Sequence, residues 1–316
     1  MKLIALLTFK NEEWILPAYL SSVAPAVDEI VAIDDGSTDG SRALVEAAGG
    51  HVVDNEAIVA SGWAEHPIRE RLLRLGRERG GTHFLGLDAD EALTTPATRG
   101  LRDAVAALAP GRKLAMQWLT LWKSPTRYRD DDSVWANLFK DFAFADDPAA
   151  DYGYAFLGVA RTAGDNREEN WVRLPPERGA VLHYQFVPWE RTQVKQAWYR
   201  CSELIRTPER AYDINRTYAI TLDDPRARTA EVPPEWVEGN AVGDDAVALP
   251  PAWHLDAVLG WFDEYGVEFF EPLQIWHVER LHDEFVRRTG REPVPLVRLP
   301  LARRVARAVA ARVARG

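Results

Sequence analysis

The stretch "HFLGLDADEAL", residues 83–93, decides how the rest of the chain is read. Phe84, Leu85 and Leu87 form an apolar run of strand length, and Asp88, Asp90 and Glu91 then put three carboxylates within four positions. Two carboxylates at i and i+2 on an extended segment point to one face. There they can hold a hard divalent cation, which neutralises a diphosphate. The competing reading is local: Asp88 or Asp90 caps a turn ahead of Leu93.

Working back from this strand, residues 1–110 alternate between strand and helix patterns. Strands are expected at 3–7, 29–33 and 51–53, and helices over 12–23, 67–79 and 96–108, with a short helix ending near 48. Such alternation implies βαβ units and a mostly parallel α/β sheet. In an open sheet of this kind ligands bind beyond the carboxyl ends of the strands. Three polar clusters stand at such ends: "TFKNEE" (8–13), "DDGSTDGS" (34–41) and "DADE" (88–91). That arrangement favours the metal reading of the carboxylates over the capping one. Neither the dinucleotide fingerprint G-x-G-x-x-G nor the phosphate loop G-x-x-x-x-G-K-[ST] occurs, so a phosphate ligand needs another source of positive charge.

Taken together, "TFKNEE…IVAIDDGSTDGS…HFLGLDADEAL" resembles the family 2 glycosyltransferases, whose nucleotide-sugar-binding fold is the GT-A type. The resemblance covers about residues 1–110 and becomes diffuse beyond. It implies that Thr8, Asn11 and Glu12 line a nucleotide pocket and that Asp35 accepts a hydrogen bond from the base. It also implies that Asp88 sits near the ribose and metal, and that Asp90 ligates the metal directly. An Arg on the helix before the D-x-D strand assists the nucleotide or its phosphates in such enzymes. Arg69 and Arg71 both fit, the alternative being a solvated helix face shared with Glu65 and Glu70.

Beyond residue 110 the strand candidates are longer and aromatic: "KLAMQWLTLW" (113–122), "VWANLFKDF" (134–142), "YAFLGVART" (154–162) and "AVLHYQF" (180–186). Related enzymes draw a further metal ligand from a His late in the catalytic domain, and His183 stands at the end of such a strand. Imidazole beside carboxylates suits Mn2+ somewhat better than Mg2+. The alternative is a core histidine satisfied by backbone groups. His254, His277 and His282 lie on expected helices much further along. An inverting transfer requires a base at the acceptor hydroxyl. "ARTAGDNREENW" offers Asp165, Glu168 and Glu169, with Asp165 first, and Asp141 stands in reserve, although the family's usual acidic motif is not cleanly present. Trp118, Trp122, Trp135, Trp171 and Trp189 fall in the expected acceptor half, where one or two of them would stack on sugar and the rest would be core.

Residues 190–212, 254–266 and 273–290 read as helices, separated by a Pro-, Asp- and Gly-rich connection over 222–251. The expected organisation is therefore a catalytic domain over 1–215, with a nucleotide half at 1–110 and an acceptor half at 111–215. A loop-rich and helical C-terminal extension follows over 216–296, then a basic tail over 297–316. The tail carries six Arg and no acid, with Val305, Val309 and Val313 at helical spacing. Such a helix either lies on an anionic membrane surface or packs on an acidic protein face. Its Ala- and Val-rich apolar side favours the second.

The composition agrees with a globular protein: 47% hydrophobic and 27% charged residues. A net charge of −10 argues against a general nucleic-acid partner. One cysteine, Cys201, excludes an intramolecular disulfide and suits a reducing, cytoplasmic setting. The N-terminal apolar run is too short for a signal peptide, and no 18-residue apolar stretch spans a membrane. Arg outnumbers Lys 32 to 6, a composition common in GC-rich bacteria. The expectation is a metal-dependent inverting transferase moving sugar from a nucleotide-diphosphate donor, a UDP-sugar, to a hydroxyl of a glycan, lipid-linked or small-molecule acceptor. The alternatives are a nucleotidyltransferase that makes sugar nucleotides, against which "TFKNEE" lacks a glycine-rich basic loop, and a binding module without activity.

Overall fold

A computed structural model of the chain describes residues 1–55, 65–155, 158–222, 227–239, 242–249 and 253–298. The first half follows the expected alternation: β1 (Leu3–Phe9), α1 (Leu16–Val23), β2 (Glu29–Asp34), α2 (Ser41–Ala47), β3 (His51–Asp54), α3 (Glu65–Glu78) and β4 (His83–Gly86). Helix α1 starts four residues later than the apolar periodicity suggested. Asn11 takes a left-handed φ of 55°, the Glu12 carbonyl accepts from the Ile15 and Leu16 N–H groups, and Pro17 occupies the first helical turn. Proline suits that turn because its missing N–H would be unsatisfied there anyway.

The chain continues through β5 (Glu91–Leu93), α4 (Thr95–Ala106), β6 (Lys113–Thr120), β7 (Arg127–Arg129) and β8 (Phe139–Ala145). Then come β9 (Tyr154–Ala155), β10 (Gly158–Val159), β11 (Trp171–Arg173) and β12 (Ala180–His183). Among the described residues one nine-stranded sheet runs β3-β2-β1-β4-β8-β6-β12-β5, with β11 beside the start of β6. Five of its pairings are parallel and three antiparallel, those of β4 with β8, β8 with β6, and β12 with β5. The fold is α/β, a mostly parallel sheet flanked by helices.

Side chains of a strand alternate between faces, and β1 shows where the two layers go. Leu3, Ala5, Leu7 and Phe9 pack with Leu16 and Tyr19 of α1 and Leu101 and Val105 of α4. Ile4 and Leu6 pack with Ile68 and Leu72 of α3. Each such side chain removed fully from water contributes roughly 1.5–3 kcal/mol. These layers fix β1, β2 and β4 side by side and parallel, with their carboxyl ends at one edge.

Three strand expectations change. The fourth strand does not run into the acids: β4 stops at Gly86, and Glu91 already belongs to β5, paired with His183 of β12. The glycine is needed because a Cβ there would lie 2.5 Å from the Arg161 carbonyl oxygen. The strand expected over 134–142 begins only at Phe139, after a turn. The strand expected over 154–162 is the hairpin of β9 and β10, with 156–157 outside the described residues.

The chain divides into two compact units, residues 1–187 with 227–247, and residues 188–226 with 248–316. The boundary therefore falls at 187 rather than 215, and the expected extension over 216–296 is shared between the units. The reason lies in packing. Helix α5 (Trp189–Arg206) buries Val194, Ala197, Cys201 and Leu204 in one core with α6 (Ala211–Thr217), α7 (His254–Tyr265) and α8 (Glu279–Thr289). Strand β13 (Thr229–Glu231) instead pairs with β7 in the first unit. Helix α8 is shorter than the 273–290 pattern, since Leu273, Ile275 and Val278 enter the core from turns before it. Residues 299–316, nearly all of the basic tail, lie outside the described residues. No helix of the described residues is long and apolar enough to cross a membrane.

Candidate active site

The loops leaving β1 and β2 are tied together by their own polar groups. The Asn11 N–H donates to Ser37 Oγ (3.1 Å), the Thr38 N–H to Asn11 Oδ1 (2.7 Å), the Glu12 N–H to Ser41 Oγ (2.8 Å), and the Gly40 N–H to Glu13 Oε2 (2.9 Å). Asn tolerates the left-handed backbone at position 11 better than a branched residue would. The Glu12 carboxylate accepts from Trp14 Nε1 at 2.6 Å. Asp35, just past β2, accepts from Asn55 Nδ2 (2.7 Å) and faces Lys10 Nζ at 3.9 Å. Thr8 sits half-buried on β1 opposite Ile33. Four residues assigned to a nucleotide pocket thus gather at two adjacent strand ends.

The third strand end carries the acids. Asp88 Oδ1 accepts from Arg69 at 2.9 Å and its Oδ2 from Arg161 at 2.6 Å. Arg69, on α3, is also held by Glu65 at 2.9 Å. Arg71 points elsewhere, donating to the Asp54 carbonyl at 2.8 Å. Of the two arginines, only Arg69 reaches the acids. Burial opposes the charge on Asp88, but the Arg161 and Arg69 guanidiniums outweigh it and hold the carboxyl well below the usual range. Each Asp88 oxygen thus already accepts from one guanidinium, whereas Asp90 faces the His183 imidazole.

Glu91 is fully buried. It accepts from Arg161 (2.5 Å), from Trp118 Nε1 (2.7 Å) and from the Asp88 N–H (2.9 Å). Burial pushes its pKa up, aided by Asp88 and Asp90 and opposed by Arg161. The register shows what surrounds it. Glu91 pairs with His183 on β12; Val181, two residues before His183, pairs with Trp118 on β6; and Met116, two residues before Trp118, pairs with Lys140 on β8. Lys140, Trp118, His183 and Glu91 therefore share one sheet face. The His183 ring stacks on Trp118 with centroids 4.1 Å apart, and Lys140 Nζ lies 3.4 Å from the Trp118 centroid.

Asp90 lies at 7% exposure, with Oδ1 3.9 Å from Nε2 of His183, itself at 4%. The Asp90 carbonyl accepts from the Tyr184 N–H (2.8 Å), so β12 pins the acid next to the imidazole. Two ligands each about 2.1 Å from one ion lie about 3 Å apart when cis and about 4.2 Å when trans, which brackets this separation. Among the described residues no group of three or more His, Cys, Asp or Glu gathers as a metal site. The protein's own donor set here is one carboxylate and one imidazole. That set fits an ion completed by phosphate oxygens and water, as Mg2+ commonly is.

The candidate bases stand apart from this cluster. Asp165 is exposed, and Arg167 clamps it with bonds of 2.6–3.1 Å that hold its carboxyl far below the usual range. A general base works best with a pKa near the operating pH, so this environment moves Asp165 the wrong way. Asp141 accepts from Thr162 and faces the fully buried Lys113 at 3.5 Å. Strand alternation turns it away from Lys140 and hence from Trp118. Glu168 and Glu169 are exposed, with Arg173 on the first. Trp118 and Trp122 are buried, Trp135 and Trp171 half-buried, and Trp189 begins α5 in the second unit. His254, His277 and His282 also belong to the second unit.

Arg161, Lys140 and the platform role of Trp118 escaped the sequence reading, and Glu91 stood there only as a member of the acid cluster, with no role of its own. Lys140, a cation in an aromatic strand, carries a visible local signal; Arg161 has none, because its partners come from other elements.

No family model matches the chain, and no curated protein does. Among solved structures, one of glucosyl-3-phosphoglycerate synthase from Mycobacterium tuberculosis, in complex with Mn2+ and uridine-diphosphate-glucose, is 22% identical with a TM-score of 0.28. The match covers 38% of this chain and 43% of that one. S. aureus TarS is 21% identical with a TM-score of 0.27, over 39% of this chain and 22% of TarS. A mycobacterial protein is 24% identical with a TM-score of 0.29, over 38% and 41%. The chain thus spans less than half the length of each of these three structures.

Proposed function

We propose that this chain is a glycosyltransferase that takes sugar from a nucleoside-diphosphate donor, a UDP-sugar, and passes it to a hydroxyl of an acceptor. The observation that carries the proposal is the segment between β4 and β5. It presents Asp90 to His183 at 3.9 Å and seats Asp88 on Arg69 and Arg161, at the same sheet edge as the loops after β1 and β2. A sheet edge with this arrangement favours an anionic nucleotide bound through a divalent ion.

Asp90 and His183 would hold the ion, Mn2+ or Mg2+, which when bound supplies charge neutralisation to the departing diphosphate. The chain's residues do the rest. Asp35 and the cross-linked loops bearing Asn11 and Glu12 orient the base. Arg69 and Arg161 hold Asp88 ionised, so that it accepts hydrogen bonds from a ribose hydroxyl. Glu91 anchors Arg161 and the Trp118 indole beneath the phosphates. Direct attack by the acceptor hydroxyl at the anomeric carbon would invert its configuration, and the product's anomeric coupling in proton NMR reports that. Neither Asp165 nor Asp141 is carried forward as the base.

A panel of nucleotide sugars incubated with the protein and Mn2+ tests the proposal. The expected result is release of UDP from one UDP-sugar, slow alone and faster with acceptor. Failure to turn over any donor while UDP still binds would leave a binding module. Failure to bind any nucleoside diphosphate would refute the proposal.

A further inference from the structure

Strand β8 carries one lysine into the site. Lys140 precedes a run of four buried residues, 142–145, after one intervening position, and its register opposite Met116 puts it on the Trp118 face. Its Nζ sits over the indole, 3.4 Å from the centroid, and makes no hydrogen bond or ion pair with another described residue. The neighbouring cations are engaged: Arg69 with Glu65 and Asp88, Arg161 with Asp88 and Glu91. Burial and then Arg161 pull the Lys140 pKa down, against the upward pull of Glu91 and Asp88.

An ammonium in this setting is short of a counter-ion. The ring face attracts it, but a quadrupole does not replace an anion, and the nearest carboxylates already serve guanidiniums. Trp118 itself is locked, its N–H bonded to Glu91 and one of its neighbours the stacked His183 from β12. Lys140 comes from β8, on the other side of β6. The indole therefore stands between the ammonium on one side and the Asp90–His183 pair on the other. An anion with several oxygens laid over that indole edge meets both.

We propose that Lys140, held on the Trp118 ring, is a direct contact for a phosphoryl oxygen of the donor's diphosphate. This rests on the nucleoside-diphosphate reading of the site. The ring fixes the ammonium and keeps it from collapsing onto Asp88 and Glu91, so the charge is in place before the substrate arrives.

Calorimetric titration of the full chain with UDP, inorganic pyrophosphate and uridine, each with Mn2+, tests it in Lys140→Met and Lys140→Arg. Removing the cation should weaken UDP and pyrophosphate about 10- to 100-fold, the range for losing a hydrogen bond to a charged group. Uridine affinity should stay unchanged, which also reports an intact fold, and the Arg variant should remain within about threefold of the parent on the same scale. Should Lys140→Met not fold, Lys140→Gln carries the same comparison. UDP affinity equal to the parent's would overturn the inference and leave the donor reading standing. If transfer were then lost as well, the ammonium would serve an anionic acceptor instead. A parent protein that binds neither UDP nor pyrophosphate would overturn both.

Discussion

Replacing Arg161 with Met tests the electrostatic core of the site, because this one guanidinium bridges Asp88 at 2.6 Å and Glu91 at 2.5 Å while only 11% of its side chain is exposed. Exposed ion pairs are worth roughly 0–1 kcal/mol, whereas removing one partner of a buried pair costs about 3–5 kcal/mol, because the remaining charge is stranded. Asp88 keeps Arg69 and some contact with water, and Glu91 keeps the Trp118 N–H, so the low end, about 3 kcal/mol at pH 8, is expected. The loss should depend on pH. Without Arg161 the two carboxyls hold their protons to higher pH in the folded state than in the parent. A folded state that binds more protons gains stability as pH falls, so the deficit should shrink from pH 8 to pH 5. The slope is at most about 1.4 kcal/mol per pH unit for each proton. Urea denaturation of both proteins at the two pH values measures it. A deficit under about 1 kcal/mol that is the same at both would instead mean that the pair is solvated and that Arg161 does not hold the site's charge balance.

Gly86→Ala drives a methyl to 2.5 Å from the Arg161 carbonyl oxygen, a backbone atom that cannot swing aside, and should cost about 1–3 kcal/mol by thermal or urea denaturation. Asp131 is buried and bonded by Arg129 at 2.6 Å and by the Ser133 N–H at 2.9 Å; these outweigh burial and bring its pKa to about 2. Its lowered folded pKa contributes about 2 kcal/mol that is present above pH 4 and lost as pH falls through 2, so Asp131→Asn should flatten the acid limb of the stability curve. Arg69→Gln should weaken UDP binding about tenfold or more, while Arg71→Gln, whose parent side chain donates to the Asp54 carbonyl rather than to the acids, should leave it within about threefold.

The first half of the fold was legible because its strands are apolar runs bounded by glycine and acid, and its helices carry clear apolar faces. What failed there were boundaries set by backbone events, such as the left-handed Asn11 that delays α1 and the glycine at 86 that stops β4. Beyond residue 110 the strands are short, antiparallel or interrupted, and β11 and β13 take their place only through partners far away in sequence. The same distinction governs the site. Asp88 and Asp90 were visible because they follow one another, and Arg69 because it lies on the preceding helix. Arg161 reaches the acids from the bend after β10, which no local pattern announces, and Lys140 reaches Trp118 across the β6–β8 pairing. Asp165 looked suitable by position and lost that standing to Arg167, two residues away.

Asp90 and His183 are proposed to seat a divalent ion on which binding of the donor's diphosphate depends. The most direct test of this is the affinity of UDP with Mn2+ and with EDTA, in the parent chain, Asp90→Asn and His183→Ala. Tight binding is expected only for the parent with Mn2+, and equally weak binding in the other five conditions. UDP affinity in the parent that is indifferent to EDTA, or a response to Mn2+ preserved in both variants, would contradict it.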